Sequence, residues 1–396
     1  MKPTVQTNDE AASLFPELEQ NSGQRFTTGV LPTQKLREMV AAGRIRVTPG
    51  AEPIQEFQYQ PASIDLRLGP VAYRVQASFL PGANSTVEVK LRDLKMNELD
   101  LTRQAVFEQG CVYVVPLAEE LFLNSDLSAR ANPKSTTGRL DIFTRLITDY
   151  GDEFEKVPKG YKGKLYVEVV PRTFTVILRQ GMRLNQIRLI RGNPRLYESK
   201  FLLGRIDKKD PLIYEEDSAA KAQITRGLRV SIDLQGADPS RSDEIIGFRA
   251  KKHTPAVDLS MVNHYPAEDF WEPLWSAPRN KLILNPDDFY ILASRERVSI
   301  PPDYAAEMVA YDPAMGEFRV HYAGFFDPGF GYGPANEVRG THAVLEVRSH
   351  EVPFVLEHGQ TVGRLIYEQL TAVPDKIYGP KIGSSYQYQR LSLSKQ

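Results

Sequence analysis

The chain carries one pattern twice. GKLYVEVVPRTFTVILRQGMRLNQIRLI surrounds Glu168, and THAVLEVRSHEVPFVLEHGQTVGRLIYE surrounds Glu346. The step from glutamate to glycine is the same in both, since 181 − 168 and 359 − 346 are each 13 residues. A second echo reads PASIDLRLG, ending at Gly69, and TPAVDLS, ending at Ser260. A repeat on this scale predicts two copies of one structural unit fused in tandem. A lone copy of such a unit would have to oligomerise, and its sites would then fall between copies.

The unit is built of strands. PASIDLRL, VYVVPL, KLYVEVV and FTVILRQG are rich in β-branched and aromatic residues and end at Pro or Gly. Alternation of strands with long helices is absent, so the fold class is mainly β, a closed barrel or sandwich with few short helices. LPTQKLREMVAAGRIRV predicts one such helix, capped by Thr33 and ended by Gly43, with Leu36, Met39 and Val40 on one face. The expected organisation is an arm over 1–25, a first domain over 26–195 and a charged connection over 196–226. A second domain over 227–372 and a tail over 373–396 follow.

Composition excludes several function classes. With 49 Lys and Arg against 50 Asp and Glu, the net charge of −1 offers no global field for nucleic acid or an anionic membrane. A phosphate-bearing ligand would need a local cluster of cations. Cys111 is the single cysteine, which excludes an intrachain disulfide and a zinc site built on two thiolates. Its apolar setting, CVYVVPL, reads as a core thiol. The six histidines are scattered without metal-ligand spacing, so no metal ligand set is expected. No leader-like or membrane-spanning run is present, and a cytoplasmic location is expected.

Three segments can carry chemistry. In ARANPKSTTGRLDIFTRLI, Ser135, Thr136 and Thr137 offer hydroxyls and amides beside Gly138, with Lys134 and Arg139 flanking. Small residues let amides approach a ligand, and the cations neutralise phosphate oxygens; a solvated Ser/Thr loop has the same look. HYAGFFDPGFGYG holds a tight Asp327-Pro328-Gly329 turn with Phe325, Phe326 and Phe330, able to wall in a flat base or simply to close a hairpin. Glu168 in LYVEVV and Glu346 in AVLEV are acids in apolar strands. Burial raises such a carboxyl toward neutral pKa, where it can serve as a general base, whereas an outward-facing Glu would only be solvated.

Together these residues resemble the dCTP deaminase family, trimeric relatives of dUTPase with a distorted jelly-roll fold. The resemblance rests on LPTQKLREMVAAGRIRV, QPASIDLRLG, KSTTGR, YAGFFDPGF, AVLEV and EHGQTVGRLIYE, and covers most of the chain in two registers. It implies two tandem dUTPase-like domains and hydrolytic deamination of dCTP to dUTP and ammonia, without zinc. A glutamate activates water, helped by a Ser and an Arg, and Mg²⁺ rides on the triphosphate. It also implies a tail that folds over the nucleotide, here with Tyr378, Lys381 and Tyr386. The rival readings are a dUTP diphosphatase or bifunctional enzyme, and a non-catalytic nucleotide-binding protein.

The two copies depart from the family pattern in opposite ways. The first has the phosphate turn but reads EFEKVPKGYKG in place of the hairpin; the second has the hairpin and Glu346 but reads VAYDPAMGEF in place of the turn. The expected site therefore joins Lys134, Ser135, Thr136, Thr137 and Arg139 of the first copy to Ala323, Gly324, Asp327 and Glu346 of the second. The competing arrangement uses Glu168 between first copies of a homo-oligomer.

Overall fold

The computed structural model describes residues 27–215, 218–238, 240–241, 243–277, 279–310, 318–320, 324–333, 339–349, 352–379 and 390–396. Four antiparallel sheets, two per copy, carry the architecture, and the copies match strand for strand. In the first copy one sheet runs Gly29–Val30, Asn185–Arg191, Leu127–Pro133, Lys156–Val157, with Ile64–Leu66 also paired to Asn185–Arg191. The second copy repeats it as Leu196–Tyr197, Thr361–Gln369, Tyr304–Ala310, Phe325–Phe326, with Leu228–Ser231 on Thr361–Gln369. The other sheet of the first copy runs Lys95–Asp100, Val71–Val75, Val112–Phe122, Lys162–Pro171, Ile142–Thr148. Its counterpart contains Trp271–Trp275, Ile245–Ala250, Phe289–Val298, Thr341–Ser349 and Phe318–Val320.

This correspondence changes one repeat match and one boundary that the sequence places elsewhere. The true counterpart of PASIDLRLG is TRGLRVSID over 225–233: Ile64–Leu66 pairs with Asn185–Arg191 as Leu228–Ser231 pairs with Thr361–Gln369. Ile64 thus matches Leu228 and Leu68 matches Ile232, and the SIDL shared by 63–66 and 231–234 is four residues out of register. TPAVDLS instead supplies Val257–Asp258, which pairs in parallel with Val176–Leu178 of the first copy. Two chance features, a shared Pro-Ala and an apolar-Asp-Leu run, made the wrong segment the better local match. The second copy also begins near Leu196, not 227. Leu196–Tyr197 and the helix Lys200–Lys209 occupy the places of Gly29–Val30 and Thr33–Ala41.

The helix Lys200–Lys209 shows why its segment reads as a connection. Leu203 and Ile206 are buried in the second core, and Lys208 and Lys209 close the last turn, favourably placed against the helix dipole. Ser199 caps the other end by accepting from Leu202 N at 3.2 Å. Only one narrow apolar stripe faces inward, so charge dominates the local composition. In the first helix Thr33 is not the cap. It lies buried as the first helical residue and donates to the carbonyls of Gln60, at 2.6 Å, and Pro61. Gly43, at φ +64°, follows the helix end as expected.

The copies share a core. Phe174 of the first packs edge-on against Trp271 and Phe270 of the second, at 5.5 and 5.7 Å between ring centroids. Such pairs add about 0.5–1.5 kcal/mol each beyond burial, which helps hold residues of the two copies in fixed register. The buried Arg188 spans the same boundary, over the Phe325 ring at 4.0 Å and 3.5 Å from Glu368. Among the described residues no helix is long and apolar enough to cross a membrane.

Candidate active site

Pro133 ends the strand Leu127–Pro133, and the chain turns at once into the short helix Ser135–Gly138. Thr137 N and Gly138 N donate to the Lys134 carbonyl at 2.9 and 3.0 Å. That turn packs against the strand Thr341–Ser349 of the second copy. A Cβ on Gly138 would lie 3.0 Å from the Glu346 carboxyl carbon and from both its oxygens. Glycine is needed here because the backbone and the carboxyl approach so closely.

Alternation along Thr341–Ser349 puts Glu346 and Arg348 on one face, toward the first copy. Glu346 is 6% exposed. Burial pushes its pKa up to about 8, with Arg139 pulling it down and Asp141 pushing it further up. Arg139 and Asp141 belong to the first copy, so the electrostatics of this carboxyl is set across the boundary.

A cavity opens beside the carboxyl. Lys134, Ser135 and Arg139 line it from the first copy; Gly324, Phe325, Phe326, Asp327, Phe330 and Glu346 line it from the second, with Tyr378 from the tail. Phe326 and Phe330 meet edge-on at 5.1 Å, and Phe330 lies 5.3 Å from Tyr378. Tyr378 N donates to the Pro328 carbonyl at 2.8 Å, docking the tail on the hairpin. Gly329, at φ +93°, allows this: a Cβ there would fall 2.9 Å from Ile377 Cβ. Asp327 lies 3.6 Å from Arg188, and burial pushes its pKa up to about 6 against the pull of that guanidinium.

On its other side the turn borders a cleft lined by Lys134, Thr136, Thr137, Arg179, Arg183 and Lys395. Sequence reasoning missed Arg179 and Arg183, which flank the turn at Gly181. A signal was available. The first copy reads Arg-Gln-Gly-Met-Arg over 179–183 where the second reads Glu-His-Gly-Gln-Thr over 357–361, so one glycine turn is cationic and the other is not. Asp65 sits below the cleft, in contact with Lys134 and 3.1 Å from Arg183.

The last residues cross the turn from outside. Arg139 Nη1 donates to the Ser392 carbonyl at 3.0 Å, and Ser394 Oγ to the Thr136 carbonyl at 3.0 Å. Arg390 anchors this segment on Asp233 at 2.6 Å.

Glu168 does not reach the cavity. It is fully buried, and its Oε1 accepts from Arg145 Nη2 and Nε at 2.6 and 3.0 Å. The same guanidinium stacks on Phe154 at 3.5 Å. In the first copy, then, an arginine of the chain fills the space next to the strand carboxylate. Register also shows that Pro158 takes the place of Asp327, since Lys156–Val157 and Phe325–Phe326 pair at equivalent rungs. Ala323, Lys381 and Tyr386 lie outside the described residues. Among the described residues no three His, Cys, Asp or Glu side chains converge as a metal site.

Comparison with known proteins identifies the family. Residues 27–193 match the family model of the 2'-deoxycytidine 5'-triphosphate deaminase N-terminal domain, and residues 200–396 match that of the C-terminal domain. The chain belongs to the dCTP deaminase family. A relative named "dCTP deaminase, dUMP-forming" in Halobacterium salinarum is 32% identical over 169 residues, 40% of this chain and 78% of the relative. One named "dCTP deaminase" in Natronomonas pharaonis is 30% identical over 160 residues, again 40% and 78%. A crystal structure of 2'-deoxycytidine 5'-triphosphate deaminase from Agrobacterium tumefaciens superposes with a TM-score of 0.82 at 50% identity, covering 88% of this chain and 97% of that one. The family boundary between 193 and 200 falls where the strand correspondence starts the second copy.

Proposed function

We propose that this enzyme hydrolyses the C4–N bond of dCTP, giving dUTP and ammonia, at a single composite site per chain that joins the first copy's turn to the second copy's Glu346. The observation that carries the reading is the Glu346 carboxyl, buried and 3.0 Å from the Cβ position of Gly138. The cytosine lies in the cavity against Phe326 and Phe330, with Gly324 and Asp327 on its edge and Tyr378 closing over it. The triphosphate, carried as its Mg²⁺ complex, passes the turn to Lys134, Arg179 and Arg183, while Thr136 and Thr137 offer hydroxyls and amides.

The chemistry then needs one carboxylate and one water. Ionised Glu346 takes a proton from the water as its oxygen bonds to C4, and passes that proton to ring N3. The adduct's remaining hydroxyl proton moves through the same carboxylate to the amino group, which leaves as ammonia while C4=O forms. Ser135 and Arg139 orient the water and stabilise negative charge as it develops. A base that must also return protons works best with a pKa near the operating pH, and burial has moved Glu346 there.

This reading predicts ammonia release from Mg·dCTP without any added transition metal. The free enzyme's kcat/KM should rise with pH along an acid limb centred near the Glu346 value of about 8. The sign follows because the base works only when deprotonated. A limb at 4–5, measured by coupled ammonia detection, would show that a normal exposed carboxylate does the work.

A second reading concerns the product. Several relatives carry names specifying dUMP formation, which would add cleavage between the α and β phosphates. Nucleotide chromatography separates the outcomes, since dUTP accumulates in one and dUMP with pyrophosphate in the other. The tail contributes a further expectation. Removing the residues after Pro374 takes away Tyr378, Ser392 and Ser394, so KM for dCTP should rise about tenfold or more through loss of closure. An unchanged KM would make the tail irrelevant to binding.

A further inference from the structure

Two residues after Glu346, a buried ion pair ties the second copy to the first. Arg348 Nη2 contacts Asp141 and lies 2.9 Å from Thr173 Oγ1, while its Nη1 donates to the Asp287 carbonyl at 2.5 Å. The Arg348 and Asp141 side chains are only 5% and 2% exposed. Asp141 closes the phosphate turn two residues beyond Arg139: its own N–H donates to the Gly138 carbonyl at 2.8 Å, and its carboxylate accepts from Thr173 Oγ1 at 2.6 Å. It sits at φ +52°, a left-handed conformation that side chains other than Gly, Asn and Asp rarely adopt.

We propose that the Arg348–Asp141 pair is a positioning clasp for deamination: it fixes the phosphate turn against the Glu346 strand and sets the distance between that carboxyl and Ser135 and Arg139. The inference rests on the function proposed above. Its geometry is direct. Glu346 and Arg348 share one strand face, and Gly138 and Asp141 share one turn. The clasp therefore closes a short loop of contacts whose other side is the carboxyl itself.

Two observations separate this from general packing. The equivalent position in the first copy, two residues after Glu168, is Val170, so the copy whose glutamate lies outside the cavity has no such pair. Buried ion pairs also add little net stability compared with apolar packing, because desolvation offsets the attraction. Retaining one here therefore calls for another role, and the defined geometry of a guanidinium fork supplies it.

The clasp also neutralises Asp141 in the field of Glu346. The charged groups around that carboxyl are Arg139 and Asp141 on the turn, Lys134 and Asp327 across the cavity, and Arg348 on its own strand. Removing either member of the clasp changes this balance in opposite directions. Without Arg348, the Asp141 charge stands uncompensated and the Glu346 pKa rises. With Asp141 made neutral, it falls.

The test compares Arg348→Met, Asp141→Asn and Arg348→Lys in the full-length protein with Mg·dCTP. Arg348→Met should lower kcat roughly 10- to 100-fold with KM changed less than about threefold, as expected for misplacement of reacting groups. Its acid limb in kcat/KM should move to higher pH, whereas Asp141→Asn should move the limb to lower pH. Arg348→Lys should recover most of the kcat. Opposite limb shifts are something loss of packing would not produce. An unmoved limb in both Met and Asn variants that fold, as judged by thermal melting, would overturn the clasp. Absence of ammonia release by the wild type would instead sink the function beneath it.

Discussion

Glu346→Gln should cost at least about 10²-fold in ammonia release from dCTP, the usual scale for an essential general base, whereas Glu168→Gln should leave kcat within about threefold. Both glutamates occupy the same place in the repeat, and both are buried. What separates them is the company they keep. Glu346 faces a cavity, with Arg139 and the Gly138 turn of the other copy against it. Glu168 is bound by Arg145, whose guanidinium occupies the adjoining space on Phe154. With that guanidinium in place there is no room beside Glu168 for water and a ring.

The same substitution should move stability the other way. The folded pKa of Glu346, about 8, lies above its ordinary value of 4.5, so the folded state holds that proton more tightly than the unfolded chain. The carboxyl therefore imposes no penalty below about pH 4.5, and a growing one as pH rises toward 8. Glu346→Gln removes the penalty. Its melting temperature should match the wild type near pH 4.5 and exceed it at pH 8, by up to roughly 4 kcal/mol of stability. A gain in stability paired with a loss of turnover marks a group held in an unfavourable state for function. Equal melting at both pH values would remove the basis for the raised pKa.

Arg139→Met should be nearly as damaging, about 10²- to 10³-fold in kcat/KM at pH 7.5. Arg139 is 3% exposed and is the cation that pulls the Glu346 pKa down. Removing it takes away stabilisation of charge on the water and leaves the carboxyl more firmly protonated, so the acid limb should shift above its wild-type position. It also removes the donor to the Ser392 carbonyl, which should loosen the tail and raise KM. Steady-state kinetics across pH 6–10 would separate these effects. A pure KM change with an unshifted limb would restrict Arg139 to binding.

Much of this was legible in the sequence, for identifiable reasons. The 13-residue step from glutamate to glycine survives in both copies, so the tandem organisation shows without coordinates. The strand periodicity and the Pro and Gly stops predict a mainly β barrel or sandwich with few short helices, and the complementary losses in the two copies point to a boundary between them. The errors have equally specific causes. Lys200–Lys209 exposes enough charge to mask Leu203 and Ile206, and so reads as a connection. TPAVDLS resembles PASIDLRLG locally more than TRGLRVSID does, although strand pairing makes the latter the equivalent segment. Arg179 and Arg183 reach the turn through the fold, not through sequence proximity to KSTTGR. The Arg348–Asp141 contact joins residues 207 apart in the chain, a separation no local pattern reports.

The composite nature of the site can be read from two inactive variants expressed together. Arg139→Met disables the first copy's contribution and Glu346→Gln the second's. Each is to carry a different affinity tag, so that any mixed assembly can be isolated, or shown not to form, before ammonia release is assayed. If the turn and the carboxyl of one site belong to the same chain, co-expression restores nothing above the residual rate of either variant alone. Recovery of a substantial fraction of wild-type activity in mixed assemblies would place the two halves of each site on different chains.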